Sequence, residues 1–304
     1  MNILITGSNG FIRSILVKYL KKEHKVIGVG RKSKPNSDVD RYIQWDISKS
    51  DCQDNDVKDE IDVIIHAAAC ISIEDSAIQL SAINCVGTQR IFALAIKKRV
   101  KKLIYISSAP IIGKPLQHPI NENHPNRPFT IYHATKLAGE IILNQLERYG
   151  IENINLRIPS PIYTNMPIKT IVPLFVSKAI KNETITVNGR GTRRQNYLDV
   201  RDLANVIEKC LVKNNIQGTY IVASDKTISN IELAKLCVKI TNSQSKIVFS
   251  GKEDTSDGQV WDYDNSSAKK HLEFVQTYPI EKTIEDMEGY MRSILVDHEN
   301  SDII

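Results

Sequence analysis

The chain is short of several things, and each shortage removes a class of explanation. Its 304 residues include five cysteines, Cys52, Cys70, Cys85, Cys210 and Cys237, an odd number with no pair at C-x-x-C spacing. Neither a disulfide framework nor a zinc or dithiol motif is legible, so buried reduced thiols of a cytoplasmic protein, and no metal site, are expected. No apolar run reaches membrane-spanning length, and no signal peptide is read ahead of the first apolar segment. Aromatic residues make up 6%, and no basic run alternates with them as base stacking on nucleic acid requires. The lysine runs "KYLKKEHK" and "KKRVKK" instead read as solvated helix ends, where cations meet the negative end of the helix dipole. A net charge of +5, from 40 basic and 35 acidic residues, is too mild to name a polyanionic partner. Internal repeats and low-complexity tracts are absent as well.

What is present alternates. The runs "NILIT", "KVIGV", "YIQWD", "DVIIHAA", "KLIYISS" and "INLRI" are short, rich in β-branched residues and apolar on both faces. Between most of them lie segments of helical spacing, such as "FIRSILVKYLKK", "NCVGTQRIFALAIKKR" and "YHATKLAGEIILNQLERYG". Strands apolar on both faces and separated by helices predict a parallel sheet covered on both sides. The expected fold is α/β, a Rossmann-type doubly wound domain over residues 1–160 with its ligand at the carboxyl ends of the strands. From 161 to 304 the elements shorten around "PSPIYTNMP", and a smaller C-terminal substrate lobe is expected. Some of its segments, such as the strand "GTYIVA", are candidates to return to the first sheet. Helices are expected near 201–213, 229–241 and 280–296, with "DHENSDII" frayed at the end.

The first strand runs into "TGSNGFI", where Gly7 permits a tight turn and Gly10 lets the backbone approach a pyrophosphate at a helix N-terminus. Ser8 and Asn9 are small, capping residues suited to such a loop. The third glycine of a dinucleotide fingerprint is missing. Arg13 stands there, and the expectation is that the helix moves outward, that the side chain snorkels along the surface, or that it reaches a cofactor phosphate beside the basic Arg31 and Lys32.

An acidic residue is also missing from the end of the second strand, where NAD-selecting folds place one about 20 residues after the loop. The strand ends on Gly30, Arg31 and Lys32, and an arginine there suits a 2′-phosphate. NADP is therefore mildly favoured over NAD, with a solvated loop cation as the alternative. Farther on, Tyr132 and Lys136 stand at i and i+4 of an expected helix and share a face. A phenol with pKa near 10 becomes a base at neutral pH only with about 4 kcal/mol of help, which a neighbouring ammonium and a cationic nicotinamide would supply. Ser107 and Ser108 end the fifth strand, where a hydroxyl can bond a substrate oxygen and relay its proton to Tyr132. Asn84 opens another helix, as a cofactor contact or simply a cap.

Together these residues resemble the extended short-chain dehydrogenase/reductase family, which includes sugar-nucleotide epimerases and dehydratases. The resemblance spans nearly the whole chain through "TGSNGFI", "WDIS", "HAAA" at 66–69, "NCVGT", "ISSA", Tyr132 with Lys136, "LRI" at 156–158 and "QNYLDVRDLA". It implies a Rossmann domain with a tightly held NAD(P), a homodimer, and Ser108, Tyr132 and Lys136 as the acid–base set. Carried onto matching positions, it implies cofactor contacts at Gly7, Asn9, Gly10, Phe11, Ile12, Asp46, Ile47, Ala67, Ala68, Ala69, Asn84, Ser107 and Ile158. Substrate contacts fall to Ser108, Tyr132, Ser160, Arg194 and Gln195.

The departures are specific. Ala109 and Pro110 replace the Asp-Glu of the 4,6-dehydratases, and Ile112 replaces a tyrosine common in epimerases. Gln195 stands where sugar-nucleotide enzymes usually place an arginine, which leaves Arg193 or Arg194 to substitute. The family's late arginine has no counterpart. The expected function is an NAD(P)-dependent epimerase or reductase of a nucleotide-activated sugar. The alternatives are a carbonyl reductase of a non-nucleotide substrate and a non-catalytic cofactor-sensing protein.

Overall fold

The computed structural model describes residues 1–8, 10–50, 57–71 and 76–301. Its centre is a seven-stranded sheet whose strands all run parallel. The first six strands coincide with the apolar runs: β1 (Asn2–Thr6), β2 (Lys25–Gly30), β3 (Arg41–Gln44), β4 (Val63–His66), β5 (Lys102–Ser108) and β6 (Glu152–Ile158). Alternation explains why both faces are apolar. Ile3 and Ile5 join one core cluster while Leu4 between them joins the other.

Helices cover both faces. On one side lies α1 (Phe11–Leu20), whose Ile12, Ile15, Leu16, Tyr19 and Leu20 follow helical spacing. On the other lie α3 (Gly87–Lys98) and α4 (Ile131–Leu143), preceded by a short α2 (Ala77–Ser81). Between α2 and α3 the backbone makes a π-helical turn over Ala82–Val86.

Beyond residue 160 come β7 (Ser160–Ile162), α5 (Ile171–Ile180), β8 (Ile185–Val187), β9 (Arg194–Gln195) and β10 (Tyr197–Asp199). Then α6 (Val200–Val212) packs on α1 and β11 (Gly218–Ile221) pairs with β6, so these segments do return to the first sheet. The chain continues through β12 (Ile228–Ser229), α7 (Asn230–Ile240), β13 (Ile247–Phe249), α8 (Ser266–Leu272) and α9 (Ile280–Ser301). A separate apolar core joins α5, α7, α9 and β8. The end expected to fray is helical through Ser301, because each added residue of an established helix closes a further hydrogen bond. Cys70, Cys210 and Cys237 are buried as expected, whereas Cys85 is only half-buried, and Cys52 lies outside the described residues.

The strand order is β11-β6-β5-β4-β1-β2-β3. It reverses between β1 and β4, and the crevice outside the carboxyl ends of these strands is where such a sheet receives a ligand.

Candidate active site

At the end of β1, Gly7 turns the chain with φ +69°, a conformation that favours glycine. Gly10 caps α1 without a side-chain hydrogen bond, and no acidic residue occupies the first helical turn. The first amide N–H groups of the helix are therefore left to an outside acceptor. Asn9 lies outside the described residues.

The Arg13 side chain does not snorkel outward; it folds back across the loop and donates from Nη1 to the Ala67 carbonyl. A β-carbon on Gly10 would collide with the guanidinium, and one on Gly7 would stand 2.8 Å from Nη1. Two glycines and the small residues after β4 leave a slot that the flat guanidinium fills. Burial lowers the Arg13 pKa to about 10, with Arg31 acting in the same sense and Tyr132 against it.

A buried relay fixes the segment after β4. Thr88 Oγ1 donates to the Asn84 carbonyl (2.6 Å), so it accepts from His66 Nε2 (2.9 Å). That leaves His66 Nδ1 to accept the Thr6 hydroxyl (2.7 Å), whose oxygen in turn accepts the amides of Ala67 and Ala68 at 3.2 and 3.1 Å. His66 stays neutral, its pKa driven well down by burial and by the charges of Lys136 and Arg13. Asn84, expected at the cofactor, spends its side chain on protein partners instead. It exchanges hydrogen bonds with the Cys70 backbone (2.8 and 3.0 Å) and donates to Thr135 Oγ1 (2.9 Å). Thr135 donates to the Tyr132 carbonyl (2.8 Å), so Asn84 braces the first turn of α4 from below.

The cleft above the sheet has two chambers with Arg13 on the wall of both. The first, about 230 Å³, gathers Gly7, Gly10, Arg31, Lys32, Asp46, Ile47, Ala68 and Ala69. Asp46 is held below the usual carboxylate range. Desolvation opposes this, but hydrogen bonds from Ser48 and the charges of Arg31 and Lys49 outweigh it. The second, about 390 Å³, gathers Phe11, Ile12, Ala67, Ala69, Ser107, Ser108, Tyr132, Lys136, Ile158 and Ser160.

In the second chamber Lys136 is almost fully buried; its Nζ donates to the Ile106 carbonyl (2.6 Å) and lies 4.0 Å from the centre of the Tyr105 ring. Burial lowers its pKa to about 7, Arg13 pushes it the same way, and Glu140 opposes both. Burial also raises the Tyr132 phenol to about 12, and the cation that works against this rise is Arg13. The sequence expectation gave that role to Lys136, whose ammonium here is directed to main chain instead. Below the chamber Glu140 receives Arg157 Nη2 (2.7 Å) and Nε (3.0 Å) together with the Ser107 hydroxyl (2.5 Å). This buried ion pair pins β5, β6 and α4 together, and Ser107 serves it as well as the chamber.

Beyond Tyr132 the cleft continues towards the C-terminal elements. A cavity of about 140 Å³ is lined by His133, Ser160, Arg193, Gln195 and Trp261. A wider groove of about 520 Å³ shares Arg193 and Gln195 and runs past Thr186 and Asn188. Strand alternation sorts the candidate arginines. Arg193 and Gln195 face the cleft, whereas Arg194 turns away to Glu232 (2.8 Å) and the Thr227 carbonyl (2.9 Å). Of the two arginines, it is thus Arg193 that lines the cleft, while Arg194, a candidate substrate contact, is engaged with Glu232 and Thr227. The Arg193 Nε is buried without a hydrogen-bond partner, and its guanidinium carbon lies 5.3 Å from the Trp261 ring centre. His133 was not singled out by sequence reasoning. It follows Tyr132 directly and borders both the second chamber and the cavity beyond it.

Residues 3–223 match the model of the NAD dependent epimerase/dehydratase family. The chain belongs to this family. Among its relatives, a putative UDP-glucose 4-epimerase of Methanocaldococcus jannaschii is 29% identical over 216 residues, 66% of this chain and 70% of that protein. The dTDP-D-glucose 4,6-dehydratase of Dictyostelium discoideum is 26% identical over 268 residues, 79% of this chain but only 62% of the relative's length. In structure the chain is similar to a UDP-glucose 4-epimerase of Thermotoga maritima solved with UDP-glucose, with a TM-score of 0.86 and 21% identity across 97% of this chain and 100% of that one. A UDP-glucuronic acid 4-epimerase of Bacillus cereus, solved with UDP-glucuronic acid and NAD, gives 0.84 and 21% over 97% of this chain and all of the other. The chain thus has a Rossmann fold, and its relatives include nucleotide-sugar epimerases and dehydratases. Among the described residues, no helix is long and apolar enough to cross a membrane.

Proposed function

We propose that the chain is an NAD(P)-dependent epimerase of a nucleotide-activated sugar, working through Ser108, Tyr132 and Lys136. The observation that carries this reading is continuity. One chamber wall presents Ser108, Tyr132 and Lys136 and opens past His133 and Ser160 to Arg193, so a sugar and a diphosphate each meet suitable chemistry.

The residues suit a dinucleotide in both chambers. Gly7, Gly10, Arg31, Lys32 and Asp46 would hold the adenosine portion, and Ile12, Ala67, Tyr132, Lys136 and Ile158 the nicotinamide portion. When bound, the nicotinamide supplies an acceptor and donor of hydride. Tyr132 takes the proton of the sugar hydroxyl as that carbon gives up its hydride, and Ser108 shares the hydroxyl's hydrogen bond. Lys136 leaves the Ile106 carbonyl for a ribose hydroxyl, which brings its charge to the phenol and moves the Tyr132 pKa down from about 12. Arg193 grips the diphosphate, gaining the acceptor its buried Nε lacks. The oxidised sugar turns in the chamber, and Tyr132 returns the proton when hydride comes back to the other face.

Incubation of the protein with NAD and either UDP-glucose or UDP-N-acetylglucosamine tests this reading by NMR of the anomeric protons. An epimerase interconverts one of these sugars with its 4-epimer without accumulating NADH. Stoichiometric NADH would make the chain a dehydrogenase, and the absence of any change with either sugar would overturn the nucleotide-sugar assignment.

A further inference from the structure

We propose that Arg13 is a built-in plug of the dinucleotide site, whose guanidinium must leave the slot between the glycine loop and Ala67 before a diphosphate can bridge the two chambers. The inference rests on the dinucleotide reading above and adds to it a residue that sets how tightly the cofactor is held.

Space carries the argument first. The guanidinium lies where a β-carbon of Gly10 would be, the volume that a glycine at this point leaves open for a ligand's phosphates. Its partner across the slot is the Ala67 carbonyl, on the loop that forms the opposite wall. The slot is narrow, since a β-carbon on Gly7 would stand only 3.0 Å from the Ala68 Cα. A diphosphate and this guanidinium exclude each other.

The electrostatics of the slot point the same way. The amides opening α1 have no side-chain cap, so the slot presents the positive end of a helix. An arginine is a poor match for that end, and no carboxylate pairs with Arg13 among the described residues. Its Nε is buried with no hydrogen-bond partner. The slot therefore has the chemistry of an anion site and is filled by a cation held through one carbonyl. Displacing Arg13 gives up that charged hydrogen bond, and dinucleotide affinity falls by the fraction of molecules in which the slot is open. Each chamber remains accessible to a ligand that does not cross the slot.

Isothermal titration of wild type and Arg13→Ala with NAD, NADP and adenosine tests the plug, with unfolding temperatures recorded to confirm that both proteins are folded. Alanine preserves the helix better than glycine and cannot reach the slot. The expected result is at least tenfold tighter binding of NAD and NADP by the variant, with adenosine affinity unchanged. The variant should also carry more dinucleotide through purification, read by mass spectrometry of the denatured protein. Equal dinucleotide affinities would remove the plug and leave the dinucleotide site standing. Weaker binding by the variant would overturn it too, making Arg13 a phosphate ligand. If neither folded protein binds NAD or NADP, the dinucleotide reading itself falls, and the plug with it.

Discussion

At the end of the cleft proposed for adenosine, Arg31 and Lys32 are exposed, whereas at the proposed reacting end Lys136 is buried against Tyr105 and the Ile106 carbonyl. The same kind of charge does different work in the two places. In water it is screened and offers selectivity between ligands at modest strength. Out of water its protonation becomes a property of the fold, as the Lys136 pKa of about 7 and the Tyr132 pKa of about 12 show. On the proposed reading, one chamber chooses between cofactors and the other is tuned for proton transfer.

Substitutions can break that contrast, starting at the dry end. Tyr132→Phe keeps the ring and removes the hydroxyl, so kcat for sugar interconversion should fall about 10³-fold while dinucleotide affinity by titration stays near wild type. A variant that retains more than a tenth of the activity would remove Tyr132 from the acid–base role.

A second test uses Lys136 as a buried titrating group. Its folded pKa of about 7 lies below the unfolded value near 10.4, so between these limits the unfolded chain binds the extra proton. Lys136 therefore makes stability rise with pH from about 7 towards 10, and below about 7 its full burial cost is present. Lys136→Met removes that contribution. Urea unfolding should show the methionine variant gaining most relative to wild type near pH 7 and losing this advantage as pH rises. Parallel pH curves for the two proteins would show that Lys136 keeps its proton in the folded state.

The smallest effect is expected at the wet end. Arg31→Ala should weaken NADP binding by about two- to fivefold and leave NAD nearly unchanged, since an exposed charge pair is worth under about 1 kcal/mol. Equal losses for both cofactors would show that Arg31 does not select between them.

How much of this was legible in the sequence depended on range. The strands that build the sheet, the glycine loop and the Tyr132–Lys136 pair follow from periodicity and neighbouring residues, and they stand together in the structure. What needed a third partner was hidden. Asn84 carries no sign in its own segment that the Cys70 backbone and Thr135 will consume its hydrogen bonds. Arg193 and Arg194 are chemically equal in sequence, and only the side to which each turns, settled for Arg194 by Glu232 on α7, tells the cleft residue from the paired one. Arg13 was visible as a departure, yet its direction depended on a slot made by residues distant in the chain.

The return of β11 to the edge of the sheet beside β6 has a mechanical meaning. β6 passes through Pro159 straight into β7, and the elements from β7 to α6 are threaded between two strands of one sheet, while α7 and α9, which share the second core with α5, follow β11. The part from β7 to α6 is thus an insertion anchored at both ends. A chain cut after residue 160 would lose a structural strand and the α6 covering with it, leaving β6 as a raw edge open to unwanted pairing. The same double anchorage ties any rocking of the substrate side to β6, whose last residue, Ile158, lines the reacting chamber.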